Sequence, residues 1–390
     1  MKYQSGRHFL QLPGPTNTPE RVLRAMSKAT IDHRGPEFAD LTARLLEGSR
    51  RLFKTAHDVF IHPASGSGAW EAAITNTLSP GDRVLSFEQG FFAQTWATVA
   101  SRFGIDVGRI EWDPRVGVSP EVVIRKLEQD ASIKAVFIVH NETSTGVTTD
   151  IESIGRAVRD SGHPAMLFVD AVSSLAVTNL EHDAWGIDVT VSGSQKGMML
   201  PPGLAVLAVS PRAIEAQESA KLPRSYWDWD DQKRFNERGF FPYTPATNLL
   251  FGMEEALAML EEEGLENVFA RHDLFGRATR AAVSGWGLEI VSRNEVEASR
   301  AATAVLVPEG HDADAVRGLI LDRFGMSLGT GLDPFKGRVF RVGHLGDLSP
   351  LQLLGALAGV EMGLQLAGVL PDVGGGVADA MAVLIKDDAV

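Results

Sequence analysis

Residues 166–197 read MLFVDAVSSLAVTNLEHDAWGIDVTVSGSQKG. Two strand-length runs stand in this stretch, Met166–Val169 and Ile187–Ser192. The first is followed by Asp170, the second by Gly-Ser-Gln-Lys196. An apolar run that ends on a charged residue puts that charge at the edge of a sheet, and in open α/β sheets ligands bind beyond the carboxyl ends of the strands. Outward from here the same alternation continues. Strands are expected at Val59–His62, Arg83–Phe87, Ala135–Val139 and Leu204–Ser210. Helices are expected at Gly66–Leu78, Phe92–Phe103, Pro120–Gln129 and Ile151–Ser161. The pattern predicts an α/β fold, a mostly parallel sheet flanked by helices.

Past Ser210 the character changes. Leu222–Thr247 is dense in aromatics, proline and charge and has no clear period, which marks a functional or interface segment. Asn248–Glu263 reads as a helix. A smaller α+β C-terminal unit follows, with helices near Val268–Trp286, Asp312–Phe324 and Ser349–Leu364 and strands at Ala302–Val307 and Arg338–Val342. Gly374–Gly376 reads as a hinge before a last short helix.

Composition excludes several classes. The 390 residues include no cysteine, so disulfide scaffolds, thiol nucleophiles, iron–sulfur clusters and thiolate zinc sites are out. The net charge of −13 disfavours nonspecific binding to nucleic acid or anionic membrane. It also opposes anionic substrates at long range, so such a substrate needs a local cation. No apolar stretch is long enough for a signal peptide or a membrane span, which fits a cytoplasmic chain.

Three motifs carry chemistry. Ala64-Ser-Gly-Ser-Gly-Ala-Trp-Glu71 follows a strand and opens a helix, where free N–H groups and the dipole attract an anion. It lacks the lysine of a nucleotide P-loop and the third glycine of a dinucleotide fingerprint, and a Gly/Ser turn can be only a turn. Asp170 ends a strand, where a lone aspartate can equally cap a helix. Lys196 lies 26 residues further on, among Gly and Ser. Lysines are usually solvated, but burial would lower the pKa and free the amine for covalent chemistry. Together the three suit pyridoxal 5'-phosphate: an anion turn for the phosphate, a carboxylate for the pyridine nitrogen and a lysine for the aldehyde.

These motifs, in order along nearly the whole chain, resemble the class V aminotransferases of fold type I, specifically the serine–glyoxylate and alanine–glyoxylate group. The landmarks are Leu12–Asn17 (LPGPTN), Asp32-His33-Arg34, Ser65–Glu71, His140–Gly146 (HNETSTG), Val169–Ser174 (VDAVSS), Ser192–Pro202 and Arg341–Gly346 (RVGHLG). The resemblance implies a fold type I PLP-dependent transferase. It assigns Lys196 to the cofactor's aldehyde, Asp170 to its ring nitrogen, and Ser67, Gly68, Ala69 and Gln195 to its phosphate. Thr143 would lie near the ring hydroxyl, Val172 under one ring face and Phe92 in a stacking position. Tyr243 and Thr244 would reach the phosphate of a neighbouring subunit in a homodimer, which gives the irregular middle segment a purpose. Arg341 would grip the substrate carboxylate, with Arg34 and Arg338 as possible assistants. His140 and His344 show no metal-ligand spacing, and no metal is expected.

The implied organisation is an N-terminal segment (1–17) near the active site, a large PLP-binding domain (18–255) and a small C-terminal domain (256–390). The implied reaction moves an amino group from a small amino acid, L-serine first, to glyoxylate, giving glycine and hydroxypyruvate. L-Aspartate, β-hydroxyaspartate and alanine are alternative donors, and a non-catalytic PLP-binding module is the remote alternative. The usual desulfurase route needs a cysteine that this chain lacks.

Overall fold

The computed structural model describes residues 8–372 and 375–386. The chain opens with β1 (Phe9–Gln11), α1 (Glu20–Met26), α2 (Pro36–Phe53), β2 (Asp58–His62) and α3 (Gly66–Thr77). Next come β3 (Arg83–Phe87), α4 (Phe91–Arg102), β4 (Asp106–Ile110), α5 (Pro120–Glu128) and β5 (Ile133–Val139). A small hairpin, β6 (Asn141–Glu142) and β7 (Val147–Thr148), precedes α6 (Ile151–Ser161), β8 (Met166–Asp170), β9 (Val189–Gly193) and β10 (Ala205–Val209). The middle holds α7 (Pro211–Ser219), α8 (Trp229–Asn236) and α9 (Thr247–Glu263). The C-terminal part comprises α10 (Leu265–Gly285), β11 (Glu289–Ile290), β12 (Ala302–Leu306), α11 (Ala313–Phe324), β13 (Met326–Thr330), β14 (Val339–Gly343), α12 (Pro350–Leu366) and α13 (Gly375–Lys386).

The large sheet runs β2-β10-β9-β8-β5-β3-β4. All neighbours pair in parallel except around β10, which is antiparallel to β2 and β9. The mostly parallel sheet expected from the sequence is therefore present. Its strands feed two cores by alternation. On β5, Val136 and Ile138 face one core, and Ala135, Phe137 and Val139 face the other. Both faces are covered, so the central strands β5, β8 and β10 are apolar along nearly all their length and their polar ends stand out. Asp170, Ser194 and Lys196 all fall at the carboxyl edge, where β8 and β9 run side by side.

The second sheet runs β1-β13-β14-β12-β11 and packs on α10, α11, α12 and α13. Its first strand comes from the other end of the chain: β1 pairs in parallel with β13. The segment after β1 thus leaves the small sheet and runs straight to Lys196, whose amine donates to the Pro13 carbonyl.

Several details differ from the sequence reading. The segment Leu222–Thr247 is not wholly irregular: α8 forms inside it because Asp228 caps the amides of Asp230 and Asp231. Edge strand β4 was not foreseen, since Asp106–Ile110 is half exposed and carries little apolar pattern. The boundary expected at 255/256 falls inside α9, which packs on α1 and α2. The hinge expected at Gly374–Gly376 lies partly outside the described residues, and Gly375 and Gly376 open α13. Among the described residues no helix is long and apolar enough to cross a membrane.

Candidate active site

A cavity of about 130 Å³ opens at the carboxyl edge of the large sheet. Ser65, Gly66, Ser67, Trp70, Phe92, Asn141, Thr143, Asp170, Val172, Ser173, Gln195 and Lys196 line it. The lining is drawn from between Ser65 and Lys196 and meets here because β2, β9, β8, β5 and β3 all end at this edge of the sheet.

The turn before α3 supplies one wall. Ser65 occupies the N-cap but makes no side-chain cap bond, and no acid sits in the first turn. The early amides of α3 are therefore open toward an anion. Gly66 is required by contact, because a Cβ there would stand 2.5 Å from a Val172 methyl. Of the three phosphate-turn residues expected, only Ser67 lines the cavity. Gly68 backs onto Ala64 and the Trp227 ring, and the Ala69 amide is committed to the Ser65 carbonyl at 3.1 Å.

Asp170 is buried at the end of β8. Its carboxylate accepts from Trp70 Nε1 (2.9 Å) and from the Val172 amide (2.8 Å). Burial drives its pKa up to about 7, while the Val172 and Trp70 donors pull it back. Such a carboxyl has an unmet electrostatic demand that a protonated ring nitrogen answers. Lys196 is buried too, and its amine is lowered to about 8 by burial and then by the charge of Arg341, against Asp170 and Glu142. A lysine so placed has a sizeable neutral, nucleophilic fraction near neutral pH.

Thr143 donates its hydroxyl to Ser173 Oγ (2.8 Å), and Asn141 Nδ2 also donates to Ser173 Oγ (2.8 Å). The Gln195 side-chain oxygen is buried without a partner on the same wall. The uncapped helix end, the buried acid and the buried lysine fit the groups that pyridoxal phosphate needs.

Arg341 lies on β14 behind Thr143. Its Nη1 donates to the Thr143 carbonyl (2.9 Å) and its Nε to the Thr330 carbonyl (2.8 Å). Among the described residues no carboxylate pairs with it. Burial lowers its pKa to about 10, with Glu142 opposing. Arg34 and Arg338 are both exposed and neither lines the cavity. Tyr243 and Thr244 are also exposed and away from this chain's cavity. Tyr243 stacks on Tyr226 at 4.5 Å, and Tyr226 meets Trp227 behind Gly68. His140 and His344 are buried and held near pH 4 and 3 by burial, and no metal-holding cluster occurs among the described residues.

Sequence reasoning missed Trp70, Asn141, Ser173, Glu142 and Pro13. Trp70 had a signal, an aromatic N–H one turn into the helix that follows the anion turn. The others gave none, because only the folding of the β6–β7 hairpin and the N-terminal segment brings them to the cavity.

An anion turn, a buried acid and a buried lysine at the carboxyl edge of a large α/β sheet, with a second α+β unit whose Arg341 bonds to the Thr143 carbonyl, define a pyridoxal phosphate enzyme of fold type I. The chain belongs to the class-V aminotransferase family, whose pattern matches residues 8–333. It is 47% identical to a serine–glyoxylate aminotransferase of Methylorubrum extorquens, across 97% of this chain and 96% of that protein. It is 43% identical to an L-aspartate–glyoxylate aminotransferase of Paracoccus denitrificans, across 95% and 94%. The crystal structure of a ureidoglycine–glyoxylate aminotransferase from Bacillus subtilis superposes with a TM-score of 0.92 at 27% identity, covering 99% of this chain and all of that one.

Proposed function

We propose that this enzyme transfers the amino group of a small amino acid, L-serine first, to glyoxylate, releasing hydroxypyruvate and glycine. The carrying observation is the convergence of Lys196, Asp170 and the open end of α3 on one cavity, with Arg341 held beside Thr143. The serine donor is supported by the 47% identity to a serine–glyoxylate enzyme. L-Aspartate is the second reading, favoured by the relative that bears that name. That donor would need a further cation for its second carboxylate, and Arg34 and Arg338, the two expected for it, are both exposed.

Bound pyridoxal phosphate supplies an electron sink for the substrate's α-carbon and carries the amino group between the two half-reactions. Ser67, Gly68, Ala69 and Gln195 would hold the phosphate, and Asp170, held by Trp70, would pair with the ring nitrogen. Val172 and Phe92 would lie against the ring and Thr143 near its hydroxyl. Lys196 Nζ would anchor the aldehyde, and its free amine would accept the proton lost from the substrate α-carbon. Arg341 binds the substrate carboxylate in a fork geometry, its orientation preset by two backbone carbonyls. This local cation offsets the long-range repulsion of a chain with net charge −13.

The same reading makes the enzyme a cytoplasmic homodimer, with Tyr243 and Thr244 given to the neighbouring subunit's phosphate site. It also divides the chain into an N-terminal segment at the site, a cofactor unit and a smaller C-terminal unit. Sedimentation equilibrium measures the dimer directly. The decisive experiment is a donor panel with glyoxylate: serine, aspartate, β-hydroxyaspartate and alanine. Glycine formation fastest from serine is expected; aspartate ahead of serine overturns the donor. A visible cofactor band with no turnover of any donor would leave only a non-catalytic PLP-binding module.

A further inference from the structure

Glu142 is wholly buried, yet it makes no ion pair within the described residues. Its carboxylate is instead surrounded by donors. Oε2 accepts from the amides of Phe92 (3.2 Å) and Ala93 (3.1 Å), at the start of α4. Oε1 accepts from the Ser144 amide (3.0 Å) and hydroxyl (2.6 Å). Ser144 Oγ in turn accepts from the Phe91 amide (3.1 Å). The first three amides of α4 are thus all satisfied from the β6–β7 hairpin. The helix's own N-cap residue is Gly90, which has no side chain to do it.

Gly90 is glycine because the hairpin occupies that space. A Cβ there would stand 2.5 Å from Ser144 Oγ and 2.6 Å from Glu142 Cγ. The arrangement is a remote cap, in which an acid from another element meets the positive end of a helix. It matters because of what lies on either side. Phe92, the second residue of α4, lines the cavity with Lys196 and Asp170. Thr143, the residue after Glu142, holds Arg341 through its carbonyl.

We propose that Glu142 is a positioning residue for the transamination: its carboxylate fixes Phe92 against the cavity through α4 and anchors the hairpin whose Thr143 carbonyl accepts from Arg341. This rests on the function proposed above. It adds a residue that touches neither cofactor nor substrate but sets the wall that one meets and the cation that the other meets.

The test uses the purified holoenzyme and two variants, Glu142→Gln and Ser144→Ala. Glutamine keeps the shape but removes the charge and turns a donor toward the α4 amides. Hydrogen exchange at Phe91–Ala93 should then speed up at least about tenfold, with the rest of the molecule unchanged. The KM for the donor should rise more than kcat falls, with kcat/KM down about 10- to 100-fold. The dissociation constant for pyridoxal phosphate, read from fluorescence, should weaken in Glu142→Gln. It should weaken no further when Glu142→Gln is added to Phe92→Ala, since both act on one wall. Wild-type protection and wild-type KM in Glu142→Gln overturn the proposal. So does a loss of protection spread evenly over the molecule, which marks a merely structural role. If Glu142→Gln does not fold, Ser144→Ala must show the same local exchange pattern at smaller size, and its absence overturns the proposal equally. An inactive wild type with serine would fail the functional reading alone, because exchange and cofactor affinity still judge Glu142.

Discussion

Lys196 has to be buried, yet present an amine that reacts. The structure meets both needs by surrounding it with Asp170, Glu142 and Arg341, whose charges pull in opposite directions. Gly14 makes room for it: this glycine has φ +97°, and a Cβ there would collide with Lys196 Cδ. Its amine donates to the neighbouring Pro13 carbonyl, so the N-terminal segment is part of the lysine's cage. Lys196→Ala removes the covalent anchor and the proton acceptor together. We expect kcat to fall at least about a thousandfold, with far-ultraviolet circular dichroism unchanged. Near-normal turnover in this variant would remove Lys196 from its assigned role. The chemistry at this scale was largely legible from residue types: Asp170 stood out because it ends an apolar run, and Lys196 because it stands among Gly and Ser just past the next strand. Which amides of the turn before α3 stay open is less legible, since it depends on where that helix begins its first turn.

The elements show where sequence pattern suffices and where packing takes over. Helix α6 is written plainly: Asp150 caps the Ser153 amide, Ile151, Ile154, Gly155 and Val158 form the buried stripe, and Gly162 ends it in the left-handed region. Its middle glycine is a different matter. Propensity alone would favour alanine at 155 by about 1 kcal/mol. In the structure a Cβ at 155 would collide with the Trp185 carbonyl oxygen, which is backbone and cannot turn aside. The clash should win, so Gly155→Ala should destabilise the protein by about 2 kcal/mol in urea unfolding. A more stable variant would show that the close approach relaxes freely. Helix α8 and strand β4 escaped the sequence reading for related reasons. The first is short and polar, held by its Asp228 cap, and the second is an edge strand with one partner.

For the molecule as a whole, burial sets the response to acid. His62, His140 and His182 are lowered to about 4 by burial, and His272 and His344 to about 3. An unfolded histidine titrates near 6.5. Between those values the unfolded chain binds protons that the folded one refuses, so their stabilisation is full above about pH 6.5 and lost as pH falls toward 4. Asp170, Glu142 and Asp188 are raised by burial and act the other way, but the histidines outnumber them. The urea midpoint should therefore fall steadily from pH 6.5 to 4, and a flat midpoint would contradict this balance. Taken alone, the sequence determined the fold class, the family and the identities of the acid, the lysine and the arginine. The fold class and the acid and lysine candidates follow from local pattern, strand-length apolar runs and the polar residues just beyond them; the family and the arginine's expected role follow from the resemblance its motifs carry. Only the tertiary structure decided which helix amides face the cavity, that Trp70 clamps Asp170, that the N-terminal strand joins the C-terminal sheet, and that Glu142 caps a helix from a distant hairpin. Those are contacts between residues about 50 to more than 300 positions apart, and no local pattern records them because their partners are chosen by the packing of the whole chain.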